Sequence, residues 1–201
     1  MDSYSSMLER TRAPQLSLQR FAVISIFEKL RSAPPHLDSN SNPGREAITQ
    51  CLHSSSPSVV DQSVRELCRL VKDSKFDLSR GYLELQSSLE GCDSRFVNVF
   101  VKGLGFLVRH GFQNNSSSFR FNSSETHPFV KVLSCRREVQ FELVQQVLLL
   151  MAQNKRLGMV EDLISSMASM CCSSPLEAMP VFKLLGGCLN YFPCKTADHL
   201  L

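Results

Sequence analysis

No part of this sequence has the uninterrupted apolar run of about 18 to 20 residues that a helix needs to cross a bilayer. The longest dense apolar run covers residues 147–152, and glutamines bracket it on both sides. Residues 1–14 are polar and do not have the apolar core of a secretory signal peptide. We therefore expect no transmembrane segment in this chain and a cytoplasmic location.

The sequence also lacks a strong excess of charge. Its 22 basic and 19 acidic residues leave a formal net charge of +3. Nucleic-acid binding usually rests on a dense positive patch that neutralises several phosphates. We therefore expect no direct nucleic-acid partner.

The eight cysteines do not show the tight spacing of zinc ligands, in which about two to four residues separate successive thiolates. They are scattered along the chain at positions 51, 68, 92, 135, 171, 172, 188 and 194. Cys51 and Cys68 fall on the apolar sides of predicted helices, where a free thiol behaves as a small hydrophobic group. The pattern predicts no metal and no cofactor, and it favours a reducing, cytosolic environment.

Catalytic motifs are missing as well: the chain has no phosphate-binding loop of the Walker type, no G-x-S-x-G elbow and no H-E-x-x-H pair. Gly103 and Gly105 could begin a dinucleotide fingerprint, but position 108 is Val and no strand is predicted before them. We therefore predict no catalytic residue, no cofactor-binding residue and no small-molecule substrate. The chain is predicted not to be an enzyme.

What the sequence does contain is a succession of amphipathic stretches, each of about 12 to 18 residues, between Leu16 and Phe192. Short Ser, Pro or Gly breaks separate them. A helix pair cannot bury its own apolar stripe, so several pairs must stack. The pattern predicts an all-α, armadillo/HEAT-like solenoid of stacked antiparallel helix pairs.

The predicted organisation is a polar segment at residues 1–14, a helical-repeat domain at 15–195 with a polar loop at about 111–126, and a tail at 196–201 that is the truncated end of a longer repeat protein. The predicted helices cover residues 15–32, 45–52, 57–72, 77–91, 93–110, 128–133, 136–153, 159–172 and 175–192. Ser56, Asp77 and Asp93 are predicted caps. Gly103 and Gly105 predict the close approach of a neighbouring backbone.

One surface feature is a candidate partner site. Arg65, Arg69 and Lys72 follow each other at i, i+4 and i+7, on the side of their helix opposite its apolar stripe, and we call these three residues the basic ridge. Asp61 precedes Arg65 by four residues and is predicted to pair with it. The ridge has two interpretations: an ordinary solvated face, or a receptor for an acidic partner or a phosphate backbone.

Four runs of sequence resemble the focadhesin-like family. They are SLQRFAVISIFEKLRSAP from Ser17, VVDQSVRELCRLV from Val59, DLSRGYLELQSSLEGCDSRFVNVFVKGLGFLVR from Asp77 and ETHPFVKVL from Glu125. The resemblance covers about residues 8–195, corresponds to the amino-terminal region of the family's plant members, and includes no chemical signature.

The resemblance implies a very long helical-repeat scaffold without enzymatic activity. Plant members of the family are associated with cuticular wax formation and embryo development, and with assisting the cytoplasmic RNA exosome by bridging it to the Ski complex. The implied partners are therefore exosome and Ski complex subunits, and the longer protein is implied to be membrane-associated. A helical scaffold in membrane trafficking or adhesion is the alternative, since the same repeat architecture serves both functions.

Overall fold

A computed structural model describes residues 3–33, 42–113 and 139–153, together with Gly186. All the regular secondary structure in these ranges is helical, which confirms the all-α prediction. The α-helices are α1 (Ser3–Arg10), α2 (Leu16–Ser32), α3 (Asn42–Leu52), α4 (Pro57–Lys72), α5 (Leu78–Gly91), α6 (Val97–Gln113) and α7 (Gln140–Gln153). A 3₁₀ turn at Ser94–Phe96 leads into α6.

The chain divides into two compact units, residues 1–114 and 115–201. Helices α1 to α6 belong to the first unit, and α7 belongs to the second. Helix α6 extends through Gln113, so the loop predicted from Gly111 begins later than expected. The helices predicted at 128–133, 159–172 and 175–192, the rest of the loop and the tail lie outside the described residues. The single repeat domain at 15–195 stays a prediction.

The helices of the first unit alternate between two layers. Helix α4 packs against α2 on one side and against α6 on the other. In the second layer, α3 packs against both α1 and α5. The consecutive pairs α1 and α2, α3 and α4, and α5 and α6 also pack together, so each pair joins the two layers.

The predicted apolar stripes form the core between these layers. In α2, the stripe of Val23, Ile26, Phe27 and Leu30 is at most 3 % exposed. The predicted core residues of α3, α4 and α6 are also buried: Ala47, Ile48, Cys51, Leu52, Val60, Val64, Leu67, Cys68, Val71, Val97, Phe100, Val101, Leu104, Leu107 and Val108. In α5, Tyr82, Leu85 and Leu89 are buried as predicted, whereas Leu78 is only half-buried. Apolar residues that recur at helical spacing thus identified most of the buried face of α2 to α6.

Helix α1 is an addition that the sequence pattern did not predict. It lies within the polar segment at residues 1–14 and packs against α2 and α3. Its Tyr4 is 7 % exposed, and the ammonium group of Lys29 lies 4.2 Å from the centre of the Tyr4 ring. A cation over an aromatic face is a stabilising contact, but it leaves no periodic signal in the sequence.

The predicted caps are confirmed at Asp77 and Asp93, whose carboxylates accept hydrogen bonds from the backbone N–H groups of Arg80 (2.9 Å) and Arg95 (3.1 Å). The predicted helix start at Ser56 and Pro57 is confirmed too. The side chain of Ser56 does not cap α4, however. Its hydroxyl donates a 2.6 Å hydrogen bond to Gln19 Oε1 and so joins α4 to α2.

Contacts between neighbouring helices of one layer have a nearly constant separation along the chain. Hydrogen bonds join Arg20 to Ser58, 38 residues apart, and Arg45 to Glu84, 39 residues apart. The thiol of Cys68 lies 3.8 Å from the carbonyl oxygen of Gly103, 35 residues away. These separations lie between the length of about 34 residues found in tetratricopeptide repeats and the length of about 40 to 47 residues found in HEAT and armadillo repeats.

Candidate functional site

The basic ridge lies on the exposed side of α4. The opposite side of α4 is buried, and its most enclosed residues are Val59, Val60, Ser63 and Leu67, each 0 % exposed. Arg65, Arg69 and Lys72 are exposed, as their helical positions predicted. The side chains of Arg65 and Arg69 retain 65 % and 61 % of their accessible surface.

Two members of the ridge are paired with carboxylates. Arg65 Nε lies 3.0 Å from Asp61 Oδ2, which confirms the predicted pair. Arg69 Nη1 donates a 2.6 Å hydrogen bond to Glu66 Oε1, a pairing that the sequence analysis did not include. The two guanidinium groups are therefore oriented by anions of their own helix.

Glu66 is the buried partner of this arrangement, with only 2 % of its side chain exposed. Besides the bond from Arg69, Oε1 accepts a 2.9 Å hydrogen bond from Gln62 Nε2, and Oε2 accepts one of 3.4 Å from Arg31 Nη2. Arg31 Nε also lies 3.3 Å from Asp73 Oδ2. Because Arg31 belongs to α2, the buried carboxylate ties α2 to α4.

The sequence predicts only the part of this cluster that lies on α4. Gln62, Glu66 and Arg69 follow each other at i, i+4 and i+7, which places them on one side of α4. Arg31 is 35 residues away from Glu66, so only the packing of α2 beside α4 reveals its role.

Helix α6, which packs against α4, carries two cations of its own. Lys102 and Arg109 are seven residues apart, or close to two helical turns, so they share a side of α6. Lys102 is exposed, whereas Arg109 is half-buried. We call the basic ridge together with Lys102 and Arg109 the cationic face.

Arg109 lies close enough to α4 to act on the thiol of Cys68. Burial raises the pKa of the Cys68 thiol to about 12, and the positive charge of Arg109 opposes this rise. Conversely, burial lowers the pKa of the Arg109 guanidinium, and the charge of Cys68 opposes that change. Arg109 of α6 and Cys68 of α4 therefore interact electrostatically across the contact of the two helices.

The layer of α1, α3 and α5 exposes both carboxylates and an apolar side chain. Arg45 Nε lies 2.8 Å from Glu84 Oε1, so one exposed cation of α3 is neutralised by α5. Glu46 and Glu90 add exposed carboxylates, and Leu83 is 62 % exposed. Arg10 and Arg80 are exposed cations of the same layer, so this surface carries charges of both signs.

Cys51 and Cys68 are free and buried, and Cys92 is free and half-buried. Burial also raises the pKa of Cys51 to about 12, against a lowering contribution from its hydrogen bond with Ser63. In the described ranges, no group of three or more His, Cys, Asp or Glu side chains is arranged to hold a metal ion. No helix in those ranges combines the length and hydropathy that a membrane crossing requires.

Comparison with known families adds one finding. Residues 82–161 match the family model Focadhesin/RST1, DUF3730. The matched segment includes most of α5 and all of α6 and α7, and it therefore contains Lys102 and Arg109 but not the basic ridge. The match supports the focadhesin-like resemblance over this part of the chain. No curated protein and no solved structure matches the chain significantly.

Proposed function

We propose that this chain belongs to the focadhesin-like family and acts as a non-enzymatic helical-repeat scaffold. The observation that carries the proposal is the match of residues 82–161 to the Focadhesin/RST1 family model. The alternation of helices between two layers supports it, because such stacking offers an extended surface for partners.

The nearly constant separation of 35 to 39 residues between residues that join neighbouring helices of one layer supports a solenoid of stacked helix pairs. In such a solenoid each pair buries its apolar stripe against the next pair, and partners bind the exposed strips and grooves. The cationic face is a strip of this kind.

At the level of the cell, we propose a cytoplasmic scaffold of RNA decay. The sequence runs that resemble the plant Resurrection protein support a role in bridging the cytoplasmic RNA exosome to the Ski complex, with links to cuticular wax formation and embryo development. In this proposal the chain is the amino-terminal part of a longer protein, whose other regions supply any membrane association.

The deciding experiment is affinity purification of the tagged full-length protein from plant cytosol, followed by mass spectrometry of the co-purifying proteins. Recovery of exosome and Ski subunits supports the RNA-decay scaffold. Recovery of coat, vesicle or adhesion components in their place overturns it and supports the trafficking alternative. A full-length protein carrying Leu67→Asp serves as a comparison, because it unfolds the first unit, and the partners that it fails to recover are those that depend on this unit.

A further inference from the structure

We propose that Ser56 is a phosphorylation site for a proline-directed protein kinase, and that the phosphate group caps α4 and binds Arg20 of α2. The proposal is independent of the RNA-decay function. Within the described ranges, Ser56 is the only serine or threonine that a proline follows. It lies in the connection between α3 and α4, where Ser55 and Pro57 are exposed and Ser56 itself is half-buried.

The backbone of Ser56 is extended, with φ of −86° and ψ of 121°, as proline favours for the residue before it. A protein kinase transfers the γ-phosphoryl group of ATP to a serine hydroxyl that it holds in line with the phosphorus. The bond between that phosphorus and the bridging oxygen of ADP breaks, and a bond to Ser56 Oγ forms. The hydroxyl proton passes to the catalytic aspartate of the kinase. The exposed neighbours of Ser56 let such an enzyme reach it once the hydroxyl leaves Gln19.

The start of α4 lacks a side chain that accepts its first N–H bonds. The Ser56 hydroxyl makes no capping bond, and the N–H groups of Val59 and Val60 donate to the Ser56 carbonyl oxygen. Pro57 has no N–H group, and the N–H of Ser58 has no hydrogen-bond partner among the described residues although Ser58 is only 7 % exposed. A phosphate oxygen on Ser56 can accept from this N–H, because an N-cap side chain bonds to the second or third residue of its helix.

Arg20 of α2 supplies a cation at the same place. Its Nε donates a 3.1 Å hydrogen bond to Ser58 Oγ, two residues after Ser56, and its side chain is exposed. This bond uses one of the five N–H donors of the guanidinium group, which leaves donors for phosphate oxygens. The first turn of α4 contains no acidic residue that would repel a phosphate. A phosphoserine at a helix N-terminus or opposite arginine forms about one to three charge-assisted hydrogen bonds.

Phosphorylation would exchange one link between α2 and α4 for another. The unmodified Ser56 hydroxyl donates a 2.6 Å hydrogen bond to Gln19 Oε1, and a phosphate dianion cannot donate this bond. Bonds from Arg20 and from the Ser58 N–H to the phosphate replace it. Because charge-assisted hydrogen bonds are about twice as strong as neutral ones, the phosphorylated chain holds α2 against α4 more tightly.

The first experiment asks whether the folded 201-residue chain is a kinase substrate. The chain is incubated with a purified proline-directed kinase and ATP, and peptide mass spectrometry assigns the phosphate, because Ser174 also precedes a proline. We expect phosphate on Ser56, and the loss of that phosphopeptide in Ser56→Ala. A folded chain without phosphate on Ser56 would overturn the proposal, whether or not a synthetic peptide of residues 53–59 is modified.

The second experiment incorporates phosphoserine at position 56 by genetic-code expansion and measures the midpoint of thermal unfolding. We expect the midpoint to rise by about 2 to 4 °C at pH 8 and by less than half of that at pH 5, because the second pKa of phosphoserine is about 6. Arg20→Gln should remove most of the rise. Phosphoserine at position 87, an exposed serine within α5, is the control and should give no rise.

Three results of the second experiment would contradict the proposal. An unchanged or lowered midpoint would mean that the phosphate does not cap α4. A rise of equal size at pH 5 and pH 8 would mean that the dianion is not the stabilising group. A rise that Arg20→Gln leaves intact would mean that the phosphate does not join α4 to α2.

Discussion

Gly103 of α6 lies so close to Val64 of α4 that a Cβ atom at position 103 would be 2.6 Å from Val64 Cγ1. The same Cβ would be 2.9 Å from Leu85 Cδ1 of α5. The close packing predicted from Gly103 is therefore present, but the nearest atoms belong to side chains and not to a neighbouring backbone. The absence of a side chain at Gly103 lets α6 settle between α4 and α5.

We predict that Gly103→Ala destabilises the first unit by about 1 to 2 kcal/mol, measured by urea denaturation. Alanine gains up to about 1 kcal/mol in helix propensity, but the branched Val64 side chain has little rotamer freedom with which to move away. Gly91→Ala is the control, because no atom lies within 4 Å of a Cβ there. The double variant with Val64→Ala should lose less stability than the two single variants add up to, and strict additivity would contradict this account.

We predict that Leu67→Asp unfolds the first unit. Leu67 is 0 % exposed, so the substitution both empties its core site and buries an unpaired carboxylate, at a cost above about 4 kcal/mol. Leu83→Asp makes the same chemical change at a side chain that is 62 % exposed and should change stability by less than about 0.5 kcal/mol. Circular dichroism during thermal unfolding distinguishes the two, and a cooperative transition of normal midpoint in Leu67→Asp would refute the packing of α4.

We predict that Glu66→Gln destabilises the first unit by about 1.5 to 3 kcal/mol, since it removes a buried charge to which Arg31 and Arg69 donate hydrogen bonds. Asp61→Asn removes the carboxylate of an exposed pair, for which about 0.5 kcal/mol or less is expected. Chemical denaturation of both variants provides the comparison. Equal effects would mean that burial does not strengthen the Glu66 cluster.

We predict different outcomes when alanine replaces the two capping candidates. Asp77→Ala should cost about 1 kcal/mol, because the carboxylate accepts the Arg80 N–H bond at the start of α5. Ser56→Ala should not loosen the first turn of α4, whose Val59 and Val60 N–H groups donate to the Ser56 carbonyl oxygen. Hydrogen exchange followed by NMR reports on both helix starts. Faster exchange confined to the first turn of α4 in Ser56→Ala would show that the hydroxyl caps after all.

We predict that iodoacetamide alkylates Cys92 before Cys51 and Cys68 in the folded chain. Burial raises the pKa of each of these two thiols to about 12, so both stay protonated and shielded near neutral pH. Peptide mass spectrometry after brief alkylation resolves the three sites. Labelling of Cys68 as fast as Cys92 would contradict its burial.

The raised pKa values also set the direction of a pH effect on stability. The folded chain favours the protonated thiols, so their contribution is fully present below the ordinary thiol pKa of 9.0. It is lost as the pH rises from about 9 towards 12, the interval over which unfolded thiols ionise and folded ones do not. The Cys68→Ser variant should show a smaller fall in unfolding free energy over that interval.

The sequence predicted α2 to α6 because each of these helices buries a continuous apolar stripe at helical spacing. The Ser56–Pro57 start of α4 and the Asp77 and Asp93 caps were predictable because capping depends on residues that are adjacent in the chain. The basic ridge and the Asp61 to Arg65 pair were predictable for the same reason.

The remaining features depend on neighbours that are distant in the chain. Helix α1 is only eight residues long and is held by contacts such as that of Tyr4 with Lys29. The hydroxyl of Ser56 binds Gln19, and the carboxylate of Glu66 binds Arg31, because α2 lies beside α4. A single sequence shows the residues of such clusters but not which of them meet.

Residues that form contacts between neighbouring helices of one layer are 35 to 39 positions apart in the chain, and this separation affects the order of folding. The side-chain hydrogen bonds that join these helices reach only to the adjacent helix pair, so they close short loops and demand little chain entropy. We therefore expect each pair to dock onto its predecessor soon after it leaves the ribosome, so that the growing chain folds in the order of its synthesis.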